Sequence, residues 1–202
     1  MKFKRNYIRI FFITFVSLTI LKQCAEAVDE KTQYCNLPKS PGNCKDKIQR
    51  FYYDPIWMMC LAFVYTGCDG NGNSFNTKAE CEHSCLRSDG TSCLGPNKPK
   101  PVIKQGTDCD STECPEGYKC ARGAFHFECC HETDYKNLNE AYESKCPDGS
   151  EASGVFTFYF QPTIAKTCDD LVCEDGKKCV QVNSDFAKCC GAPTGNKTST
   201  KN

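Results

Sequence analysis

The sequence is short of the features that announce an enzyme, a membrane protein or a binder of polyanions. Lysine and arginine number 25, against 25 aspartates and glutamates. Residues 1–27 hold five of those bases and one of the acids, so the remainder carries 20 basic against 24 acidic side chains. A weakly acidic chain offers no electrostatic footprint for nucleic acid or an anionic membrane. Histidine occurs only as His83, His126 and His131, each within a few residues of a cysteine, where structural imidazoles are the default. No nucleophile and base stand at a catalytic spacing and no phosphate loop is present, so neither an enzyme nor a cofactor is expected. Long apolar runs are equally scarce: Ile10 to Leu21 stands out, shorter than the roughly 20 residues of a membrane helix, and no membrane partner is expected. That run follows Lys2, Lys4, Arg5 and Arg9 and precedes Ala25-Glu26-Ala27, a small-x-small cleavage signature, so residues 1–27 read as a secretory signal peptide. Its removal takes Cys24 and leaves 18 of the 19 cysteines, an even number that suits a fully paired, secreted, extracellular chain.

What the chain has in quantity is cysteine, in two kinds of pattern. Six fall at Cys35, Cys44, Cys60, Cys68, Cys81 and Cys85, separated by 8, 15, 7, 12 and 3 residues. Six cysteines in about 50 residues, with only a short aromatic run for a core, indicate a domain held by three disulfides. Spacing alone allows about 15 pairings. Arg50-Phe51-Tyr52-Tyr53 and Phe63-Val64-Tyr65 suit strands, and Thr77 followed three residues later by Glu80 is a capping box for a helix over 78–85.

These spacings, with Gly42, the two aromatic runs, Gly67, Asn73 and Phe75, resemble those of the Kunitz (pancreatic trypsin inhibitor) domain. The resemblance implies the pairs Cys35 to Cys85, Cys44 to Cys68 and Cys60 to Cys81, and a twisted hairpin from about 48–53 and 61–66. It also implies an exposed convex loop after Gly42 that enters a serine protease as a substrate does. Lys45 would fill the specificity pocket and Asp46 would lie across the reactive bond, with Asn43, Cys44, Lys47, Ile48 and Thr66 as further protease contacts. Lysine suits a trypsin-like pocket whose floor carries a carboxylate, because the buried charge is then paired. A bridge at Cys44 would remove loop entropy before binding. Two residues depart from the inhibitory pattern. Asp46 stands where alanine or glycine is usual, and an unpartnered charge at an interface costs on the order of 2 to 5 kcal/mol. Thr66 stands where the family usually has a second glycine, adding a Cβ where two backbones should approach. The alternative is a non-inhibitory scaffold that uses the domain as an interaction module.

Beyond a boundary near Ser88, in a Pro/Gly-rich stretch at 86–107 that holds Cys93, the remaining twelve cysteines form two copies of one pattern. Cys93, Cys109, Cys114, Cys120 and Cys129-Cys130 have gaps of 15, 4, 5 and 8; Cys146, Cys168, Cys173, Cys179 and Cys189-Cys190 have gaps of 21, 4, 5 and 9. This duplication resembles the lustrin-type cysteine-rich repeat. Its pairing is open, except that neighbouring cysteines are disfavoured as partners. In the longer first gap of the second copy, Val155 to Phe160 reads foremost as a buried hairpin strand, with an apolar docking edge as the alternative. His131 to Lys145 is polar, with a helical turn around 138–143. Zinc at Cys129-Cys130-His131 is disfavoured by secretion and even cysteine count. Asp69-Gly70-Asn71-Gly72-Asn73 imitates a calcium loop, but Ser74 stands where the sharp turn needs glycine, so no metal is expected.

The expected fold class is therefore small and disulfide-rich, an α+β Kunitz domain (twisted β-hairpin plus short C-terminal helix) with two further disulfide-rich modules. The expected boundaries are a signal peptide at 1–27, the Kunitz domain at 28–88 around a core of 35–85, the repeats at 89–131 and 132–191, and a disordered tail at 192–202 with a glycosylation sequon at Asn196. The whole resembles secreted nematode Kunitz proteins, some of which act at the cuticle or extracellular matrix. That likeness implies a trypsin-like serine protease as partner and extracellular matrix proteins as further ones.

Overall fold

The computed structural model describes residues 33–86 and 90–191 of the 202-residue chain. The expected signal peptide, the tail and Asn196 lie outside the described residues. The aromatic and β-branched runs form strands β1, Ile48–Asp54, and β2, Met59–Tyr65, paired antiparallel with Phe51 opposite Ala62. Their turn is fixed by Asp54, whose Oδ1 accepts from the N–H groups of Ile56 at 2.9 Å and Trp57 at 3.0 Å. Helix α1, Lys78–Cys85, starts at Thr77, whose hydroxyl accepts from the Glu80 N–H at 3.1 Å. The Glu80 carboxylate returns to the N–H of Asn76 at 3.0 Å. A helix of 8 residues is marginal alone; the disulfides Cys60–Cys81 and Cys35–Cys85 tie it to β2 and to the start of the unit, and Cys44–Cys68 closes the far end.

The two repeats share one bonding scheme. In the first, Cys93 pairs with Cys130, Cys109 with Cys120 and Cys114 with Cys129. In the second, Cys146 pairs with Cys190, Cys168 with Cys179 and Cys173 with Cys189. Each is first-to-sixth, second-to-fourth and third-to-fifth, so the adjacent cysteines reach in different directions. Each scheme encloses a hairpin. Strands β3, Tyr118–Arg122, and β4, Phe127–His131, pair in the first, with Cys120 opposite Cys129. Helix α2, Glu132–Tyr142, follows; it starts six residues before the expected turn because its polar buried members have partners. Asp134 accepts from the N–H and side-chain amide of Asn97, both at 3.0 Å, and Asn137 donates to Asp185 at 2.7 Å.

The second repeat continues with β5 (Glu151–Ala152), β6 (Gly154–Phe156), β7 (Phe160–Pro162), β8 (Ile164–Ala165), β9 (Lys178–Gln181) and β10 (Ala187–Gly191). Cys179 lies opposite Cys189 in the β9–β10 hairpin. This repeat is joined to the N-terminal unit by a single sheet in the order β1-β2-β8-β10-β5, with β9 also paired to β10. The junction is the parallel pairing of Ala62 with Ala165.

That junction explains β2. Met59 through Phe63 are buried without alternation, the pattern of a strand covered on both faces. One cluster gathers Tyr52, Trp57, Met59, Leu61 and Phe63 with Leu138 and Ala141 of α2, Ile164 of β8 and Phe186 of the β9–β10 turn. The Trp57 and Phe186 rings meet edge to face, with centroids 4.4 Å apart. Burying one such side chain contributes about 1.5–3 kcal/mol, and an aromatic pair adds about 0.5–1.5 kcal/mol. Lys188 of β10, 0% exposed, donates to the carbonyls of Glu140 at 3.1 Å, Glu143 at 2.8 Å and Lys145 at 3.2 Å, filling acceptors in the last turn of α2, at its C-cap and just beyond it. Burial holds its ammonium below the ordinary lysine range, against the opposing pull of Glu143.

The apolar run at Val155–Phe160 departs from its foremost reading. Strands β6 and β7 form a separate two-stranded hairpin whose tip is open to solvent, with Phe158 99% exposed and Phe156 and Tyr159 mostly so. The buried positions beside β2 are already filled by Ile164 and Phe186. Among the described residues no helix is long and apolar enough to cross a membrane.

Candidate functional site

The loop from Pro41 to Ile48 leaves the body of the N-terminal unit as an exposed arch. Glycine is required at its base: Gly42 has φ +86°, and a Cβ there would sit 2.0 Å from the carbonyl oxygen of Cys68. The Cys44–Cys68 disulfide crosses the arch to the neighbouring strand end, with Cα atoms 5.5 Å apart.

Thr66 is the hub of this arrangement. Its N–H donates to Pro41 O at 2.8 Å and its carbonyl accepts from the Asp46 N–H at 3.0 Å. Its hydroxyl accepts from the Cys44 N–H at 3.0 Å and donates to Pro41 O at 2.9 Å. The expected crowding at this position is replaced by a gain: the side chain that glycine lacks supplies two of the four hydrogen bonds across the loop. Asn43 donates to Asp69 at 3.1 Å, and the Tyr65 hydroxyl donates to Asp69 O at 2.8 Å.

Lys45, Asp46 and Lys47 are exposed along the crest, and Ile48 is exposed where the loop enters β1. The Asp46 side chain turns back over Gly67, where an added Cβ would meet Asp46 Oδ2 at 2.4 Å. Gly67, at φ +100°, is therefore the residue that leaves room for the aspartate. The asparagines of the calcium-like run belong to the frame: Asn73 accepts from Tyr53 N at 2.8 Å and donates to Leu37 O at 2.8 Å, while Asn71 donates to Pro38 O at 2.8 Å.

Sequence reasoning missed the second repeat at the base of this loop. Lys39, just before the arch, reaches both carboxylate oxygens of Asp170 at 2.7 and 2.9 Å. Gln49, just after it, accepts from Val172 N at 2.7 Å and donates to Asp170 O at 3.1 Å. Burial, then the charges of Asp54 and Asp170, holds the Tyr52 phenol beneath this clamp well above the ordinary tyrosine range. No local signal in the sequence marks these partners, because they lie more than a hundred positions apart.

A hairpin, one short helix, three bridges and an arch braced by a disulfide define a small class of proteins, and comparison with known sequences identifies it. The Kunitz/Bovine pancreatic trypsin inhibitor domain matches residues 34–86. A Kunitz-type serine protease inhibitor of Eristicophis macmahoni is 53% identical over 55 residues, 27% of this chain and 89% of that protein. Chelonianin of Caretta caretta is 40% identical over 91 residues, 45% of this chain and 82% of that protein. Major allergen Ani s 1 of Anisakis simplex is 32% identical over 151 residues, 69% of this chain and 74% of that protein. The chain spans 62% of the fused toxin protein of Sistrurus catenatus edwardsii that it also matches. The chain belongs to the Kunitz/bovine pancreatic trypsin inhibitor family.

Proposed function

We propose that the chain is a secreted inhibitor of trypsin-like serine proteases, with Lys45 entering the specificity pocket and Asp46 on the leaving side of the reactive bond. The observation that carries this reading is the bracing of the loop by Cys44–Cys68 and the four Thr66 hydrogen bonds, with Lys45 exposed at the crest. Such a loop is ordered before it meets a protease, so association costs little conformational entropy. The same bonds hold both sides of the reactive peptide, so the Asp46 amine of a cleaved bond stays in place, ready to reform the peptide. Lysine places one positive charge in a pocket that must carry a carboxylate to accept it. Asn43, Lys47, Ile48 and Thr66 form the flanking contacts.

The two repeats are lustrin-like modules in this reading, at 89–131 and 132–191 after a signal peptide and a Kunitz domain at 28–88. The likeness to nematode secreted proteins supports a role in cuticle or extracellular matrix formation. Asn196 is the proposed glycosylation site. A second reading, a non-inhibitory binding scaffold, is favoured by the carboxylate of Asp46, a charge on the side where a protease is most confined.

Titration of the purified full chain against trypsin with a chromogenic substrate distinguishes the two. The expected result is loss of activity at sub-micromolar chain, abolished by Lys45→Ala. Unchanged protease activity, or inhibition that survives Lys45→Ala, excludes the pocket mechanism.

A further inference from the structure

We propose that the second repeat carries an additional protease-contacting surface, built on Leu171 and Val172, which extends the leaving side of the reactive loop and tunes which proteases bind. This inference rests on the reading of Lys45 as the specificity residue.

Its position follows from Gln49, the fourth residue past the Lys45–Asp46 bond. Both ends of that amide hold the second repeat, through Val172 N at 2.7 Å and Asp170 O at 3.1 Å, and Nε2 also donates to Phe63 O at 3.0 Å. Residues 170–172 thus lie within one side-chain length of the strand that leaves the loop. Lys39 grips Asp170 on the other side of the arch, so the repeat is tied to both chain segments that border it. Asp170 is itself buried, with the Thr167 hydroxyl also reaching it at 3.4 Å.

The surface is rigid and apolar at its centre. Cys168–Cys179 and Cys173–Cys189 pin the segment from both ends. Val172 is 41% exposed, Leu171 beside it is half-buried, and Val172 N is held by the Gln49 clamp. Asp169 and Asp175, both exposed, give this patch an acidic rim, while the Glu174 carboxylate is engaged by the Ser153 hydroxyl at 2.5 Å and by Lys177 at 3.6 Å. A rigid patch adds contact area with little ordering cost. A stable protein interface engages roughly 20–30 residues on each side, and a patch beside the arch adds to the residues that the arch from Pro41 to Ile48 supplies. Next to the leaving side of the loop stands Leu171–Val172. It suits a trypsin-like protease that carries an apolar patch with a basic edge beyond its leaving-side pockets.

The test uses the full chain and inhibition constants on a panel of trypsin-like proteases, with thermal melts as the folding control. Val172→Arg is expected to weaken inhibition of at least one member tenfold or more, with its melt unchanged. Asp169→Lys, which reverses a rim charge and leaves the Asp170 clamp intact, is expected to shift the order of preference within the panel, and it decides the matter if Val172→Arg misfolds. If the folded variants stay within twofold of the parent on every protease while Lys45→Ala abolishes inhibition, the additional surface is wrong and the reactive loop stands. If Lys45→Ala leaves inhibition intact, or the parent inhibits no member of the panel, the reading of the loop falls and the additional surface falls with it.

Discussion

The two cysteine repeats have the same bridges and opposite fates. The turn of the β9–β10 hairpin in the second repeat holds Phe186, 0% exposed against Trp57, whereas the turn of the β3–β4 hairpin in the first holds Phe125, 92% exposed. The second turn is one residue longer, and Asn183 shapes it by accepting from the N–H groups of Asp185 at 3.0 Å and Phe186 at 3.1 Å. The same asparagine donates to Asn137 O on α2 at 2.9 Å, docking the turn while it folds it. In the first repeat Gly123 donates to His126 O at 2.9 Å and the turn closes on itself. Disulfides set the frame of such a module; the hairpin turn decides whether it merges with a neighbour.

The residue before the paired cysteines repeats this contrast with reversed charge. Lys188 donates to three carbonyls at and just beyond the end of α2, whereas Glu128 accepts from Ser92 N at 2.6 Å and from the Thr91 hydroxyl at 3.0 Å, holding the entry of its own repeat. One side chain joins modules and the other closes one.

The sharpest way to break the comparison is to truncate the two phenylalanines. Phe186→Ala is expected to cost about 3–5 kcal/mol in thermal or denaturant unfolding of the oxidised chain, since it opens a cavity in the shared core. Phe125→Ala is expected to stay within about 0.5 kcal/mol, as an exposed residue does. Equal effects would mean that the second repeat is not fused to the sheet. A smaller difference separates the charged pair. Lys188→Met is expected to cost about 3 kcal/mol, because buried carbonyls left without a donor each cost about 1–3 kcal/mol. Glu128→Gln, which keeps an acceptor, is expected to lose about 1 kcal/mol, the difference between a charged and a neutral hydrogen bond. The smallest effect falls on the solvent-facing hairpin: Phe158→Ser is expected to change stability by no more than about 0.5 kcal/mol while raising solubility. A large loss there would show that the β6–β7 tip is covered in solution.

The N-terminal unit was legible in the sequence because its signals are local. Phe51-Tyr52-Tyr53 and Phe63-Val64-Tyr65 write the hairpin, and Thr77 with Glu80 starts the helix within four residues. The expectation that Thr66 crowds the loop rested on volume alone; its hydroxyl found two backbone partners, a matter of geometry that composition does not carry. The apolar run 155–160 suggests burial because that is the usual fate of such residues. Which of several apolar segments wins a limited core depends on contacts far apart in the chain, and here Ile164 and Phe186 occupy it. The clamp of Gln49 and Lys39 on Asp170 is illegible for the same reason: three polar residues with no shared motif meet only once both modules have folded.

The meeting of Trp57 with Phe186 also sets a timetable for biosynthesis. Roughly 130 residues separate the two, so at ribosomal rates of about 5–20 residues per second the hairpin emerges on the order of ten seconds before the side chain that covers it. Through that interval Trp57, Leu61 and Phe63, all buried in the finished chain, lack part of their final cover. The nascent N-terminal unit therefore presents apolar surface for most of that time, even after Cys85 has completed the set for its own three bridges.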